Sequence, residues 1–123
     1  MITLDTGALI ALDDRGYRIL RLVGAATAAG ERITVPTVVL AEWWRGTPSR
    51  RMREFLAGAV LEPLEPRLAR IAGEAIAAIK GSTVVDAIVM ASAAQRGDTV
   101  FTSDVEDLQR LQRHFPAVRV LRT

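Results

Sequence analysis

The sequence predicts an α/β fold, with a central, mainly parallel β-sheet flanked by helices. Short apolar runs typical of β-strands alternate along the chain with longer segments whose apolar residues recur every three or four positions, as in helices. No internal repeat, low-complexity tract or linker interrupts this alternation, which favours parallel strands joined by helices. With 123 residues, 50% of them hydrophobic, the chain is expected to form a single domain over residues 1–123.

Turn residues set the bounds of the predicted elements. Strands are predicted at residues 2–5, 33–35, 60–61, 99–102 and 118–121. Helices are predicted at residues 8–12, 17–29, 49–57, 67–79, 84–95 and 105–113. A further helix should follow the second strand, with Pro36 in its first turn and Gly46 at its C-terminal cap. Gly30 and Gly97 fit the ends of the helices that precede them.

The composition excludes several classes of site. The chain contains no cysteine, so it has no disulfide framework, zinc–thiolate site or thiol nucleophile, and a cytoplasmic protein is expected. No basic segment precedes an apolar one at the N-terminus, so no signal peptide is expected. No apolar run approaches the roughly 20 residues needed to cross a bilayer, so no membrane association is expected.

The charge pattern points to a polyanionic substrate. Net charge is +2, from 16 basic and 14 acidic residues, and all but one of the basic residues are arginine, the side chain best shaped for phosphate. If four acids gather at one site, the other ten leave the rest of the molecule with an excess of six positive charges. Such a body suits a polyanionic substrate approaching cations bound in an acidic pocket. A candidate RNA-binding surface is the densest basic cluster, Arg45, Arg50, Arg51 and Arg53, although a solvated face explains it equally well.

Two aspartates follow predicted strands. Asp5 ends the first strand, and Asp104 comes shortly after residues 99–102. In open α/β sheets, ligands bind beyond the carboxyl ends of the strands, so both carboxylates are candidate ligands. Each could instead be only the N-cap of the next helix, where aspartate accepts a backbone N–H bond. Asp107, three residues after Asp104, either completes such a cap or supports the site.

Two further acids are set among apolar residues. Glu42 shares a helix face with two valines, where an ionised carboxylate is costly unless it is paired or bound to a cation. The alternative is a helix edge from which Glu42 reaches solvent or Arg45. Asp86 lies in the most apolar surroundings of the four, and Thr83 makes a capping box the alternative to a ligand. A cap and a metal ligand are compatible, since both need the carboxylate at a helix N-terminus.

The four carboxylates suggest a particular chemistry. Without a histidine or cysteine ligand, they suit a hard, oxygen-preferring cation such as Mg²⁺ or Mn²⁺. Such an ion can polarise a phosphate, activate water and stabilise the leaving oxygen of an in-line displacement. The helix N-termini beside Asp5 and Asp104 would add N–H donors for phosphate oxygens. The only histidine, His114, lies beyond these segments and is not expected to be a general base.

Four short segments resemble the conserved blocks of the PIN-domain nucleases. They are Leu4-Asp5-Thr6, Leu40-Ala41-Glu42 with Gly46, Val85-Asp86-Ala87-Ile88, and Thr102-Ser103-Asp104 with Asp107. The likeness covers nearly the whole chain and is closest to the VapC-type toxins of prokaryotic toxin–antitoxin pairs. Two features depart from the family: Leu108, where many relatives have phenylalanine, and the bulky Trp43-Trp44 pair. Neither departure affects the four acids.

The resemblance implies a PIN-like fold and an Mg²⁺- or Mn²⁺-dependent endoribonuclease. By position, the family's metal-binding catalytic acids are matched by Asp5, Glu42, Asp86 and Asp104. Its supporting residues are matched by Thr6, Thr102 and Asp107. The resemblance also implies a homodimer and inhibition by a cognate VapB-like antitoxin. Trp43 and Trp44 should point to different faces, so that one is core and the other is a candidate contact for a partner.

Other interpretations share parts of this pattern. A PIN nuclease that processes RNA without an antitoxin would have the same motifs. A non-catalytic PIN module that only binds RNA or protein is disfavoured, because none of the four acids is lost. A phosphatase or receiver domain is rejected, because Asp5 is followed by Thr6 and Gly7 instead of a second aspartate, and Lys80 is the only lysine.

Overall fold

The computed structural model describes residues 1–123 as an α/β fold with one five-stranded sheet. The strands are β1 (Ile2–Leu4), β2 (Ile33–Pro36), β3 (Val60–Glu62), β4 (Thr99–Thr102) and β5 (Arg119–Arg122). The helices are α1 (Thr6–Asp13), α2 (Tyr17–Ala28), α3 (Thr37–Trp43), α4 (Arg50–Gly58), α5 (Pro66–Ala78), α6 (Val84–Arg96) and α7 (Val105–Leu111). All neighbouring strands are parallel, which confirms the predicted class. No helix is both long and apolar enough to span a membrane.

The strand order β3-β2-β1-β4-β5 places β1 at the centre of the sheet. From β1 the chain adds β2 and β3 on one side, then returns to add β4 and β5 on the other. The direction of winding therefore reverses between β1 and β4. In open α/β sheets this reversal creates a crevice beyond the carboxyl ends of the strands, where ligands bind. Asp5 directly follows β1 and Asp104 closely follows β4, so the topology brings both residues to this crevice.

Helix α6 contributes more buried residues to the core than any other helix. Seven consecutive residues, from Ala87 to Ala93, are buried, because the helix packs against the sheet, α5 and α7 together. Thr83 caps its first turn, with its hydroxyl accepting a hydrogen bond from the Asp86 backbone N–H at 3.1 Å. Gly97 ends the helix in a left-handed conformation with φ of 71°, as predicted. The first turn, which carries Asp86, is thereby fixed relative to the sheet.

Two predicted features of α3 are wrong. Pro36 does not lie in its first turn, because it is still the last residue of β2 and immediately precedes the helix. The helix ends at Trp43 and Trp44 is already extended at the cap position, so Gly46 is not the C-terminal cap. Gly46 instead lies in the loop before α4 with φ of 67°, a conformation that glycine adopts without a steric penalty.

A largely buried polar network connects the end of α6 to the sheet. The Arg96 guanidinium, at the end of α6, binds Asp98 Oδ2 through Nε at 2.9 Å and Glu62 Oε2 through Nη1. Its Nη2 donates to Ser92 Oγ at 2.9 Å and to Thr3 Oγ1 at 3.1 Å. The Asp98 side chain is fully buried and also accepts a hydrogen bond from Thr3 Oγ1 at 2.8 Å. One arginine thus joins the edge strand β3 to α6 and to the central strand.

Replacing this arginine should cost much stability. Arg96→Met keeps the aliphatic length but leaves two largely buried carboxylates without a cation, so the free energy of unfolding should fall by about 3 kcal/mol. Urea unfolding checks this result. Arg50→Met is the matched control, because Arg50 pairs with Glu54 on the surface, and it should cost less than about 1 kcal/mol. Equal losses in the two variants would contradict a stabilising role for the network.

Candidate functional site

Asp5 is the most buried of the four acids, and its side chain is held at both oxygens. It is the N-cap of α1, where Oδ1 accepts a hydrogen bond from the Ala8 backbone N–H at 2.8 Å. Oδ2 accepts a hydrogen bond from the Thr102 hydroxyl at the end of β4. The same hydroxyl accepts from the Asp104 backbone N–H at 2.8 Å. The carboxylate therefore fixes the end of β1, the start of α1 and the turn after β4 relative to one another.

The surroundings of Asp5 oppose its ionisation. Burial raises the pKa of this carboxyl from 3.8 to about 6, although the hydrogen bonds from Thr102 and Ala8 act in the opposite direction. The negative charges of Asp86 and Asp104 raise the pKa further. Asp5 is thus a helix cap, the alternative considered from the sequence, and also a member of a group of mutually repelling acids.

Asp86 lies in the first turn of α6 and is half-buried. Burial raises the pKa of its carboxyl, while a hydrogen bond with Thr83 lowers it. The charges of Asp107, Asp104 and Glu42 raise the pKa of Asp86 as well. Because such effects act over short distances, Asp86 lies near each of these three acids.

Asp104 precedes α7 and is exposed to solvent. It occupies the N-cap position, but its side chain makes no capping hydrogen bond. A hydrogen bond with the Asp107 side chain raises the pKa of Asp104, with smaller contributions from burial and from the Asp107 charge. Asp107 also accepts a hydrogen bond from Arg110 Nη2. The proximity of these two carboxylates fits the predicted supporting role of Asp107, which stays a prediction.

The environment of Glu42 differs from the one expected from the sequence. Its side chain is exposed, although Val39 and Trp43 of the same helix are buried, so the expected cost of burying the charge does not arise. Oε1 of Glu42 accepts a hydrogen bond from the Thr6 hydroxyl at 2.6 Å, which draws the end of α3 towards the start of α1. Arg45 does not pair with it but donates to the backbone oxygens of Ala41 and Trp44.

The donor chemistry of this group fits a hard cation, but its side chains are not already converged. All the available donors are carboxylate or hydroxyl oxygens, which Mg²⁺ and Mn²⁺ prefer. No three acidic side chains are spaced to hold one ion as they lie. Asp5 is buried and fixed by hydrogen bonds at both oxygens, whereas Glu42 and Asp104 are exposed, and Glu42 is held at Oε1 only. Metal binding would therefore require the exposed acids to move towards Asp5.

Gly7, at the start of α1, lies against the side chain of Ser103 in the turn after β4, and sequence reasoning missed this contact. A Cβ on Gly7 would lie 2.0 Å from Ser103 Oγ and 3.3 Å from Ser103 Cβ. A larger residue at this position would require the Ser103 hydroxyl to move. The signal in the sequence is a glycine directly after Asp5-Thr6.

The predicted basic cluster makes mostly intramolecular contacts. Arg50 pairs with Glu54, and Arg53 donates to the Pro48 backbone oxygen at 2.8 Å. Arg51 Nη2 donates to the backbone oxygens of Leu12 and Asp13 at 3.0 and 2.9 Å, which caps the C-terminal end of α1. A role for Arg45, Arg50 and Arg51 in RNA binding stays a prediction.

The two tryptophans lie on different faces, as expected. Trp43 is buried in the core, and Trp44 is 45% exposed, with their rings edge to face at a centroid distance of 6.1 Å. Trp44 lines a shallow cleft of about 240 Å³ together with Leu40, Leu56 and Leu61. Its exposed face is therefore continuous with other apolar side chains.

The fold and the crevice together define an α/β protein whose candidate carboxylate site lies where the strand order of the sheet reverses direction. The chain belongs to the PIN domain family, whose model matches residues 2–113. No curated protein matches the chain at a significant level.

Several solved structures resemble this chain over nearly its full length. VapBC2 from Rickettsia felis, bound to a DNA fragment from its promoter, has a TM-score of 0.75 and 17% identity, covering 100% of this chain and 99% of that chain. A toxin–antitoxin complex from Klebsiella pneumoniae has a TM-score of 0.73 and 20% identity, with coverages of 98% and 96%. FitAcB from Neisseria gonorrhoeae has a TM-score of 0.69 and 21% identity, with coverages of 98% and 96%. At these identities the likeness shows the fold.

The environment of Asp5 predicts a specific pH dependence of stability without metal. The folded state raises the pKa of Asp5 from 3.8 to about 6, so ionisation costs more in the folded protein than in the unfolded chain. The contribution of Asp5 is most favourable below pH 4, declines between pH 4 and pH 6, and is lost above that window. The change amounts to about 3 kcal/mol, at about 1.4 kcal/mol per pH unit.

Denaturant unfolding in EDTA across this range tests that dependence. The difference in free energy of unfolding between Asp5→Asn and the parent should grow in favour of the variant as pH rises through the window. Asp14→Asn, which alters an exposed carboxylate, is the control and should leave the pH profile of the parent unchanged. An Asp5→Asn profile parallel to that of the parent would show that burial does not oppose ionisation.

Proposed function

We propose that this protein is a metal-dependent endoribonuclease that cuts RNA phosphodiester bonds, with Mg²⁺ or Mn²⁺ held by Asp5, Glu42, Asp86 and Asp104. The observation that carries the proposal is the buried Asp5 carboxylate at the end of the central strand, whose pKa is raised to about 6. A divalent cation would offset both its burial and the repulsion from Asp86 and Asp104. Membership of the PIN domain family supports the nuclease assignment.

The residues of the chain would orient the donors. Asp5 keeps one orientation because Ala8 N–H and the Thr102 hydroxyl each hold one of its oxygens. Thr6 holds Oε1 of Glu42, which leaves Oε2 to bind the ion or to accept a proton from the attacking water. When bound, the divalent cation would supply Lewis acidity for the phosphate and lower the pKa of that water. The N-terminal end of α1 would favour the negative charge of the substrate.

We further propose that the nuclease is the toxin of a toxin–antitoxin pair. Support comes from the solved structures of similar fold, which include VapBC2 from Rickettsia felis and a toxin–antitoxin complex from Klebsiella pneumoniae. The proposed partner is a VapB-like antitoxin, and the homodimer implied by the family resemblance stays a prediction. A PIN nuclease that processes RNA without an antitoxin is the main alternative. A purely binding module is less well supported, because all four acids are present.

A pair of neighbouring variants separates the metal site from the helix cap. Asp86→Asn removes one charge from the group while keeping its size, so it should abolish RNA cleavage and melt at the same or a higher temperature without metal. Thr83→Ala removes the cap and leaves all carboxylates, so it should lower stability by about 1 kcal/mol and retain cleavage. Added Mg²⁺ should raise the melting temperature of the parent, since it binds only the folded site, and that of Asp86→Asn much less.

The cleavage assay should also identify the reaction. A metal-activated water attacking phosphorus leaves a 5′-phosphate and a 3′-hydroxyl, and excess EDTA should stop the reaction. An active Asp86→Asn variant would remove that residue from the site. Full activity in EDTA, or products with 2′,3′-cyclic phosphates, would contradict metal-dependent hydrolysis and indicate attack by the ribose 2′-hydroxyl.

The partner proposal predicts a role for the apolar cleft beside Trp44. Co-expression with the small gene adjacent to the one encoding this chain should give a stable, inactive complex, and Trp44→Arg should weaken it by placing a charge in the cleft. Leu20→Arg is the control, because the Leu20 side chain on α2 is 40% exposed and the Trp44 side chain is 45% exposed. Co-purification with size-exclusion chromatography checks the outcome. A free, fully active nuclease in the presence of the neighbouring gene product would favour the RNA-processing alternative.

A further inference from the structure

An exposed aromatic and basic surface lies on the N-terminal half of α2. Tyr17 is 75% exposed, more than any other large hydrophobic side chain of the protein. Arg18 and Arg21 flank it, and the three side chains line a shallow cleft of about 460 Å³ together with Leu22 and Ala25. An aromatic ring this open has no role in the core, so its exposure needs another explanation.

Hydrogen bonds place this surface beside the acid group. Arg18 Nε donates to the Arg122 backbone oxygen at 2.8 Å, at the carboxyl end of β5. Arg122 lies opposite Thr102 in the parallel register, and the Thr123 backbone N–H donates to the Thr102 backbone oxygen at 2.8 Å. Thr102 in turn donates its hydroxyl to Asp5. Only β4 lies between β5, which anchors Arg18, and β1, which Asp5 ends, so about 10 Å, or two strand spacings, separates these two strands.

The ring of Tyr17 is held in place, and one of its faces is open. The Arg21 guanidinium lies over the ring at 5.5 Å from the centroid, and Arg21 Nη1 donates to the Tyr17 hydroxyl at 3.2 Å. The cation covers one face of the ring, and the high exposure leaves the other for a ligand. Preorganisation of this kind lowers the entropy lost when a flexible ligand stacks on the ring.

The charge of this surface is not neutralised by the protein. Arg18, Arg21 and the nearby Arg122 make no ion pair, whereas Arg50 and Arg110 elsewhere are each paired with a carboxylate. Unpaired arginines beside an open aromatic ring are the combination that single-stranded nucleic acids bind, with bases on the ring and phosphates on the cations. A protein segment would gain less, since the cleft offers only two apolar side chains besides Tyr17.

We propose that Tyr17, Arg18 and Arg21 form a subsite for single-stranded RNA next to the acid group. A base stacks on the open face of Tyr17, and the phosphates on either side contact Arg18, Arg21 and Arg122. The proposal rests on the proposed ribonuclease function. It identifies the surface that the RNA strand contacts beyond the acid group. It places the principal RNA contact on α2, beside β5, and not on the Arg45–Arg53 segment.

Binding of a short, labelled single-stranded RNA in EDTA, followed by fluorescence anisotropy, tests the subsite without cleavage. Tyr17→Ala should weaken binding about fivefold or more, while Tyr17→Phe should restore most of the affinity, because stacking needs only the ring. Arg18→Ala/Arg21→Ala should reduce the slope of log Kd against log salt by about 1.4, or about 0.7 for each lost phosphate contact on a single strand. Melting temperatures verify that the variants fold.

Matched controls and a cleavage assay separate this proposal from the general function. Arg67→Ala/Arg70→Ala removes the same charge from the exposed face of α5, and Leu64→Ala removes another exposed apolar side chain, so both should bind RNA like the parent. If the parent cleaves RNA with Mg²⁺ and the Tyr17 and arginine variants match these controls, the subsite is wrong and the nuclease stands. A parent that neither binds nor cleaves RNA overturns both. Normal RNA binding with loss of the antitoxin complex would overturn the RNA subsite and assign this surface to a protein.

Discussion

The organisation of the molecule depends on one buried carboxylate. Asp5 ends the central strand, starts α1 and accepts the hydroxyl hydrogen bond of Thr102 from the neighbouring strand. Burying it costs free energy, which its raised pKa reflects, and the surrounding hydrogen bonds recover only part of that cost. A buried carboxylate with a raised pKa, at the point where the sheet reverses direction, is a candidate functional residue.

Much of the fold could be predicted because its signals are local. The predicted helix at residues 84–95 differs from α6 by one residue, since a continuous apolar run and a terminal glycine mark its extent. The strand at residues 99–102 has the predicted bounds for a similar reason. Asp5 and Asp104 could be assigned to the ends of strands from their position alone, and the parallel topology then brings them to one edge.

The remaining features depend on contacts between distant segments. The hydrogen bond between Thr6 and Glu42 joins residues 36 positions apart, and the exposure of Glu42 follows from the way α3 packs. The contact between Gly7 and Ser103 is equally non-local. Whether the exposed acids converge on an ion depends on side-chain rotations that neither periodicity nor spacing encodes. The proximity of α2 to the carboxyl end of β5 also requires the strand order, which the sequence alone did not supply.

The Arg96 network determines whether the loss of one acid also destabilises the fold. The network and the acids share the central strand, on which Thr3 lies two residues before Asp5, but no side chain belongs to both groups. A change that discharges one acid relieves repulsion among the acids and leaves the Arg96 anchor intact. For the proposed nuclease, inactive but well-folded descendants are therefore one substitution away, and a population under selection against the proposed activity would accumulate them more readily than truncated or unstable forms.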